Sequence, residues 1–441
     1  MRYFLYIIFI FSQQIFSNQS YIDYQSPYHP VVSNSGMVVS QNFLSSDIGI
    51  EILNKGGNAI DAAVAVGFSL AVTLPRAGNL GGGGFMLVYI KEKNEIFYID
   101  YRSKSPLNSS INKIFDIAKN NQINPKDFTN DMFDKTRYGY KAPAVPGTVA
   151  GLIEAHEKFG KLTLEEILEP VIKQANDGIE VSYDLHKAID DTDQLKSDPE
   201  SLRIYFNNGT AIKENSIFKR PDLAKTLTRI SKHGRDGFYK GEVAEKIVLA
   251  MKQNGGMFSF KDLEEYKAKF SDPIVASYRG NYVFTAGPPS GGGITLLTAL
   301  NVLSYFDLKK FNSDSALTYH LLSEAIRRGH NNRSHYVGDP EYFNVPVDQL
   351  LSKKRTEHLV KSIDLKKATK STVVKPFELI TESRDTTHFS IIDSDGNAVS
   401  NTYTLGYSFG SGVTIPGTGI LMNNQMNNFA YRYGDKNDIS R

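Results

Sequence analysis

The spacing of apolar and polar residues divides the chain into helix-like and strand-like segments. Apolar residues at intervals of three and four predict helices, whereas alternation predicts strands. The predicted helices are 45–53, 58–71, 146–159, 164–177, 217–231, 241–253, 259–266, 294–305 and 315–328. The predicted strands are 37–40, 85–90, 95–101 and 276–286. Residues 105–140 have little apolar periodicity, which indicates a loop with short helices, and residues 340–384 indicate a surface connection with short turns.

The pattern changes near the C-terminal end of the sequence, where a β-hairpin is predicted. Residues 387–393 alternate apolar and polar side chains, and residues 398–405 return as a second strand. Between them lies the turn sequence DSDGN, whose glycine suits a tight hairpin loop. Thr386 stands at the start of this hairpin.

The composition of the chain excludes several kinds of functional site. The 441 residues carry a net charge of +2, which gives no reason to expect nucleic acid as a partner. Cysteine is absent, so disulfides, thiolate zinc sites and a cysteine nucleophile are excluded. The nine histidines show no metal-binding spacing, and we expect no metal. The run Gly81–Gly84 lacks the Lys-Ser/Thr of a phosphate loop and precedes a strand, which indicates close backbone packing.

The N-terminal residues resemble an export signal. Arg2 provides a basic start, and the apolar run from Tyr3 to Phe11 is too short to span a bilayer comfortably. We expect a signal peptide cleaved after Ser17, with an uncleaved anchor as the alternative. The mature protein is therefore expected in the periplasm or outside the cell.

Thr386 is a candidate nucleophile. A hydroxyl is a weak nucleophile and needs a base. That base is either a His or Lys side chain or, if the backbone is cut just before the threonine, the freed α-amine of the threonine itself. The sequence DTTH at a strand edge suits the second option, although Thr-Thr pairs are also ordinary strand formers.

Long motifs spread between Gly36 and Phe429 carry a family resemblance. They read GMVVSQNFLSSDIGIEILNKGGNAIDAAVAVGFSLAV, AGNLGGGGFMLVYI, PGTVAG, GPPSGGGITLL and DTTHFSIIDSDGNAVSNTYTL. In this order and spacing they resemble the γ-glutamyltranspeptidases, which are N-terminal-nucleophile hydrolases. The resemblance implies an α+β fold, a four-layer αββα sandwich, and self-cleavage of a precursor into two subunits that form a heterodimer. The expected parts are a signal peptide at 1–17, a large subunit at 18–385 and a small subunit at 386–441.

The resemblance also implies an activity and its residues. The enzyme would transfer γ-glutamyl groups from glutathione and other γ-glutamyl amides to water, amino acids or peptides, without a cofactor. By motif, the nucleophile is Thr386, and Thr404 hydrogen-bonds its freed amine. Arg102 would bind the α-carboxylate of the substrate, because a guanidinium can form two parallel hydrogen bonds to a carboxylate. Gln425 and Asn428 stand where the family binds the α-amino group.

Two substitutions depart from the family pattern. Asn428 replaces an aspartate that pairs with the substrate ammonium, and the loss of charge assistance costs about 1–2 kcal/mol. Gly406 replaces an asparagine that contacts the same ammonium. Both changes predict relaxed specificity that extends to glutaryl groups, which carry no amine.

The segment 386–441 is much shorter than the small subunit of the family. The resemblance places a serine pair and the oxyanion-hole glycines of the family beyond this length, so this polypeptide is expected to mature poorly or to be inactive. The alternatives to a γ-glutamyl hydrolase are therefore an acylase of the same fold and an inactive, truncated relative.

Overall fold

The protein is described by a computed structural model over residues 30–116, 130–311, 314–370 and 385–430, together with 437 and 439. The expected signal peptide, residues 1–17, lies outside these residues. The chain divides into two units, with the boundary between Ser35 and Gly36. In the first unit the described residues 30–35 contain no helix or strand. The second unit holds the helices and strands of the described part.

The helices agree closely with the apolar spacing of the sequence. They are α1 (Phe43–Asn54), α2 (Ala59–Thr73), α3 (Ile111–Phe115), α4 (Asn130–Arg137), α5 (Thr148–Phe159), α6 (Leu164–Asp177), α7 (Tyr183–Asp190), α8 (Pro199–Tyr205), α9 (Pro221–His233), α10 (Asp236–Tyr239), α11 (Gly241–Gln253), α12 (Phe260–Glu264), α13 (Gly291–Leu303), α14 (Ala316–Tyr336), α15 (Val347–Leu350) and α16 (Lys353–Lys361). Short 3₁₀ helices lie at Asp193–Ser197, Leu308–Lys310 and Gln425–Asn428. No helix in the described ranges is long and apolar enough to cross a membrane.

The strands are β1 (Gly36–Val39), β2 (Gly83–Ile90), β3 (Glu95–Tyr101), β4 (Ile179–Glu180), β5 (Phe206–Asn207), β6 (Thr210–Ala211), β7 (Ile217–Phe218), β8 (Lys269–Ser271), β9 (Ile274–Tyr278), β10 (Asn281–Thr285), β11 (Asp385–Asp393), β12 (Ala398–Gly406), β13 (Thr414–Ile415) and β14 (Ile420–Leu421). The main sheet has six antiparallel strands in the order β1-β11-β12-β2-β3-β8. The predicted hairpin, β11 and β12, is confirmed and occupies the middle of this sheet.

One face of the sheet is buried beneath helices. Side chains alternate along each strand, so Thr387, Phe389 and Ile391 point to one face and are fully or almost fully buried. Helices α2 and α5 pack against this face. On the opposite face of the same strand His388 and Ser390 are exposed. The α+β class is confirmed, and the described residues provide one six-stranded sheet with helices against one face of it, together with four two-stranded sheets.

Helix α2 is the centre of the core, since every residue from Ala59 to Thr73 is buried. A capping box starts it: the Asn58 side chain accepts from the amide of Asp61, and the Asp61 carboxylate accepts from the amide of Asn58. The buried Asp61 carboxylate also accepts from the amide of Lys161, which ties the helix to the loop after α5. The small side chains of α2 allow the sheet to approach this helix closely.

Two sequence predictions were wrong in detail. The helix expected at 217–231 begins at Pro221, because Ile217 and Phe218 instead form β7 and pair with β4. The single strand expected at 276–286 is instead most of a hairpin: the end of β9, a turn at Arg279 and Gly280 with positive φ angles of 50° and 83°, and β10. The connection expected at 340–384 contains α15 and α16, and its residues 371–384 lie outside the described ranges.

Gly151 of α5 marks the closest approach between a helix and the sheet. A Cβ atom there would lie 2.2 Å from Cγ of Tyr101. We expect Gly151→Ala to lower the free energy of unfolding by about 1–2 kcal/mol, because overpacking costs more than the helix propensity gained. Urea denaturation measures this. The control is Gly292→Ala in α13, whose nearest neighbouring atom is 3.7 Å away and which should be neutral or stabilising. Equal effects of the two substitutions would contradict the packing argument.

Candidate active site

Thr386 lies in an irregularity at the start of β11. Asp385 pairs with Gly406 and Thr387 pairs with Tyr403, so the register between the two strands shifts at Thr386. Such bulges re-aim side chains and are common beside active sites. Thr386 is exposed, whereas its neighbour Thr387 is fully buried. The bulge therefore presents the candidate nucleophile to solvent on a strand that is otherwise fixed in the sheet.

Thr404 lies on the neighbouring strand, inside the same irregularity. Its hydroxyl accepts from the amide of Gly406 at 2.9 Å. Adjacent strands lie about 5 Å apart, so Thr404 is placed beside Thr386 by the sheet itself. This agrees with the partnership that the sequence predicted for the two threonines.

Arg102 follows directly after β3, on the far side of β2 from Thr404. Its amide donates to the Asp100 carboxylate at 2.9 Å, and its carbonyl accepts from the Tyr266 hydroxyl at 2.7 Å. Burial lowers the pKa of the Arg102 guanidinium, and the Asp100 carboxylate opposes that shift. The backbone of Arg102 is thus held through both its amide and its carbonyl.

Gly83 separates Arg102 from Thr404. It pairs with Thr404 across the sheet, and a Cβ atom on it would lie 2.5 Å from the amide nitrogen of Ser103. The sequence prediction that the glycine run serves close backbone packing is confirmed. From β11 to β3 there are three strand intervals, roughly 14 Å at ordinary spacing. A long arginine side chain and a γ-glutamyl group can bridge that span together.

Gln425 is buried beneath Thr404. Its side-chain nitrogen donates to the Thr404 carbonyl at 3.2 Å. Within the described ranges no donor lies within hydrogen-bond distance of its Oε1 atom, which is also buried. A buried acceptor without a donor costs free energy until a ligand supplies one. A substrate ammonium is such a donor, so the geometry suits the role predicted for Gln425.

Two asparagines that the sequence analysis did not single out hold this region. The Asn423 side chain donates to the carbonyls of Gly81 and Ala144 and accepts from the amides of Ala144 and Gln425. The Asn424 side chain accepts from the amide of Tyr407 at 3.0 Å. The run NNQMNN could have indicated their role, since consecutive asparagines in a buried segment need hydrogen-bond partners for their polar atoms.

The two positions that depart from the family pattern lie at the edge of this region. Asn428 ends the 3₁₀ helix and is exposed. Gly406 has a φ angle of +106°, and a Cβ atom on it would lie 2.0 Å from Oδ1 of Asn424. An asparagine at position 406 therefore requires both a different backbone conformation and movement of Asn424.

His388 is the histidine nearest to Thr386 along the strand. Its Nδ1 atom lies 2.7 Å from the Thr402 hydroxyl and its Nε2 atom 3.0 Å from the Ser390 hydroxyl. Partial desolvation at the sheet surface lowers the pKa of His388. Both ring nitrogens are engaged, which favours the α-amine of Thr386 over a histidine as the base. No group of three histidine, aspartate or glutamate side chains in the described part could hold a metal ion.

The fold and the threonine at the start of β11 define an N-terminal-nucleophile hydrolase. A model of the gamma-glutamyltranspeptidase family matches residues 45–440. The glutathione hydrolase proenzyme of Escherichia coli is 40% identical over 413 residues, which are 93% of this chain and 69% of that protein. The chain belongs to the γ-glutamyltranspeptidase family and is an enzyme of the glutathione hydrolase type.

Solved structures agree with this assignment. The Helicobacter pylori gamma-glutamyltranspeptidase is 36% identical, with a TM-score of 0.73 over 79% of this chain and 97% of that chain. A cephalosporin acylase from Bacillus halodurans is 28% identical, with a TM-score of 0.79 over 95% of this chain and 75% of that chain. The higher identity to glutathione hydrolases supports the γ-glutamyl enzyme over the acylase and the inactive relative.

The unpaired acceptor of Gln425 gives a test of ammonium binding. Gln425→Met removes that acceptor, and we expect KM for a γ-glutamyl anilide to rise about tenfold, the usual value of a hydrogen bond to a charged group. KM for the matching glutaryl anilide should stay within about twofold, because that substrate has no ammonium. Steady-state kinetics with both substrates provides the measurement. Equal losses for the two substrates would mean that Gln425 acts on the fold and not on the ammonium.

Proposed function

We propose that the chain cuts itself between Asp385 and Thr386, and that the new N-terminal Thr386 then transfers γ-glutamyl groups. The observation that carries this proposal is the bulge that exposes Thr386 beside Thr404, in a strand held on both sides by the sheet. The parts would be a signal peptide at 1–17, a large subunit at 18–385 and a small subunit at 386–441.

The sheet supports a heterodimer of the two cleaved parts. Strands β11 and β12 follow the cut, yet they lie between β1 and β2, which precede it. The Asp393 carboxylate accepts from the amide of Ala59, at the start of α2, at 2.9 Å. The Tyr403 hydroxyl donates to the carbonyl of Gly67 at 2.8 Å. Cutting one peptide bond breaks none of these contacts, so the two parts would stay together.

In the proposed reaction, Oγ of Thr386 attacks the γ-carbonyl carbon of the substrate while the threonine α-amine takes the hydroxyl proton. That proton passes to the leaving amine, which is cysteinylglycine when glutathione is the substrate. The product is a γ-glutamyl ester of Thr386. Water, or the amine of an acceptor amino acid or peptide, then attacks the ester and regenerates the threonine.

Each remaining residue would hold one group of the substrate. Thr404 would hydrogen-bond the α-amine of Thr386, and Arg102 would bind the α-carboxylate. Gln425 would accept from the ammonium, with Asn428 at the edge of the same subsite. Export to the periplasm or beyond is supported by the basic and apolar residues between Arg2 and Phe11, and fractionation of producing cells tests it.

Self-cleavage is tested by the mass spectrum of the purified protein. We expect two chains, with the second beginning at Thr386, and a single uncut chain for Thr386→Ala, because the nucleophile is then missing. The matched control is Thr387→Val, which removes the neighbouring buried hydroxyl and should still give two chains. A whole wild-type chain would favour the inactive relative, and cleavage of Thr386→Ala would exclude Thr386 as the nucleophile.

We also propose that recognition of the ammonium is weak, because Gly406 offers no side chain and Asn428 no charge. Asn428→Asp should raise kcat/KM for a γ-glutamyl anilide about fivefold, since a carboxylate adds about 1 kcal/mol to a hydrogen bond with an ammonium. The glutaryl anilide should gain nothing from this substitution. Asn428→Ala provides the control for loss of the amide. A wild-type enzyme that strongly prefers γ-glutamyl over glutaryl substrates would contradict relaxed specificity.

A further inference from the structure

A buried hydrogen bond crosses the main sheet directly below the proposed site. The hydroxyl of Tyr101 donates to Oδ1 of Asn401 at 2.5 Å, and both residues are fully buried. Tyr101 is the last residue of β3, Asn401 belongs to β12, and β2 lies between them. Tyr101 pairs with Gly84 of β2, which has no side chain, so the ring can reach across that strand.

This hydrogen bond lies in the protein interior, where both of its partners are fully buried. Within the described part, Nδ2 of Asn401 has no acceptor and Oγ1 of the nearby Thr387 has no partner. The Tyr101 ring packs against Gly151 of α5. A buried polar pair of this kind adds little stability over an apolar pair of similar shape, and its best-attested use is to fix how elements align. Burial holds the pKa of Tyr101 far above its usual value, so the hydroxyl remains a donor at any working pH.

The two partners lie next to the two halves of the proposed site. Arg102 follows Tyr101 directly, and Thr404 lies three residues after Asn401 on the strand beside Thr386. Between these halves β2 begins with Gly83 and Gly84, which pair with β12 and β3 through the backbone alone and contribute no side chain to the spacing. A hydrogen bond from β3 to β12 spans this glycine stretch.

We propose that Tyr101 and Asn401 are positioning residues that set the distance between the carboxylate-binding Arg102 and the reacting Thr386. The proposal rests on the roles proposed above for Arg102 and Thr386. It predicts that the pair governs affinity for the γ-glutamyl group through its α-carboxylate. Neither residue touches the substrate in this arrangement.

The test compares Tyr101→Phe, Asn401→Val and the double variant with the wild type. Calorimetry measures the Kd for L-glutamate, which carries the carboxylate that Arg102 would bind, and urea denaturation measures stability. Each single variant should weaken glutamate binding about fivefold, the usual effect of one hydrogen bond. The double variant leaves neither partner of the pair with an unpaired polar atom and should recover stability, yet its Kd should stay elevated because no side-chain hydrogen bond then spans the glycine stretch.

Two outcomes would overturn the proposal. In one, the Kd of the single variants equals that of the wild type. In the other, the Kd returns to the wild-type value in the double variant together with stability, as a merely structural pair would behave. Failure of the proposed function is separately visible, since the wild-type chain would then neither split before Thr386 nor bind glutamate.

Discussion

The structure depends on the insertion of one hairpin into the middle of a sheet built from distant parts of the chain. Strands β11 and β12 hydrogen-bond to β1 on one side and to β2 on the other. The turn of the hairpin is anchored as well, because the Asp393 carboxylate accepts from the amide of Ala59 at the start of α2. A negative charge is favourable at a helix N-terminus, so this contact joins the hairpin to the most buried helix. The core and the proposed active site therefore share one element.

This arrangement exposes Thr386, the proposed cleavage site, and also fixes its position. A strand edge or a loop would expose Thr386 equally well but would leave its position poorly defined. Here the bulge opposite Thr404 turns Thr386 outward while Thr387 and Phe389 remain fully buried. The peptide bond before Thr386 lies between Asp385, which pairs with Gly406, and the irregularity in the strand.

The α-carboxylate and the α-ammonium of the substrate would be bound by parts of the protein that differ in how firmly they are held. At the carboxylate end, Arg102 is fixed through its amide by Asp100 and through its carbonyl by Tyr266. At the ammonium end, Gln425 offers one buried acceptor, while Asn428 is exposed and Gly406 offers no side chain. Under the proposed function, the sheet would therefore provide carboxylate recognition, and ammonium recognition would depend on a short 3₁₀ helix.

The sequence alone determined the elements whose signals are local. Strand Glu95–Tyr101 and helices Leu164–Asp177 and Gly241–Gln253 were predicted to the residue, because alternation, apolar spacing and capping residues lie within each segment. Family motifs led to Thr386, Thr404, Arg102 and Gln425. Tertiary structure decided the rest. Ile217 pairs with β4 instead of belonging to the predicted helix, and Tyr101 hydrogen-bonds to Asn401 across an intervening strand. Such contacts join residues far apart in the chain, so no local pattern records them.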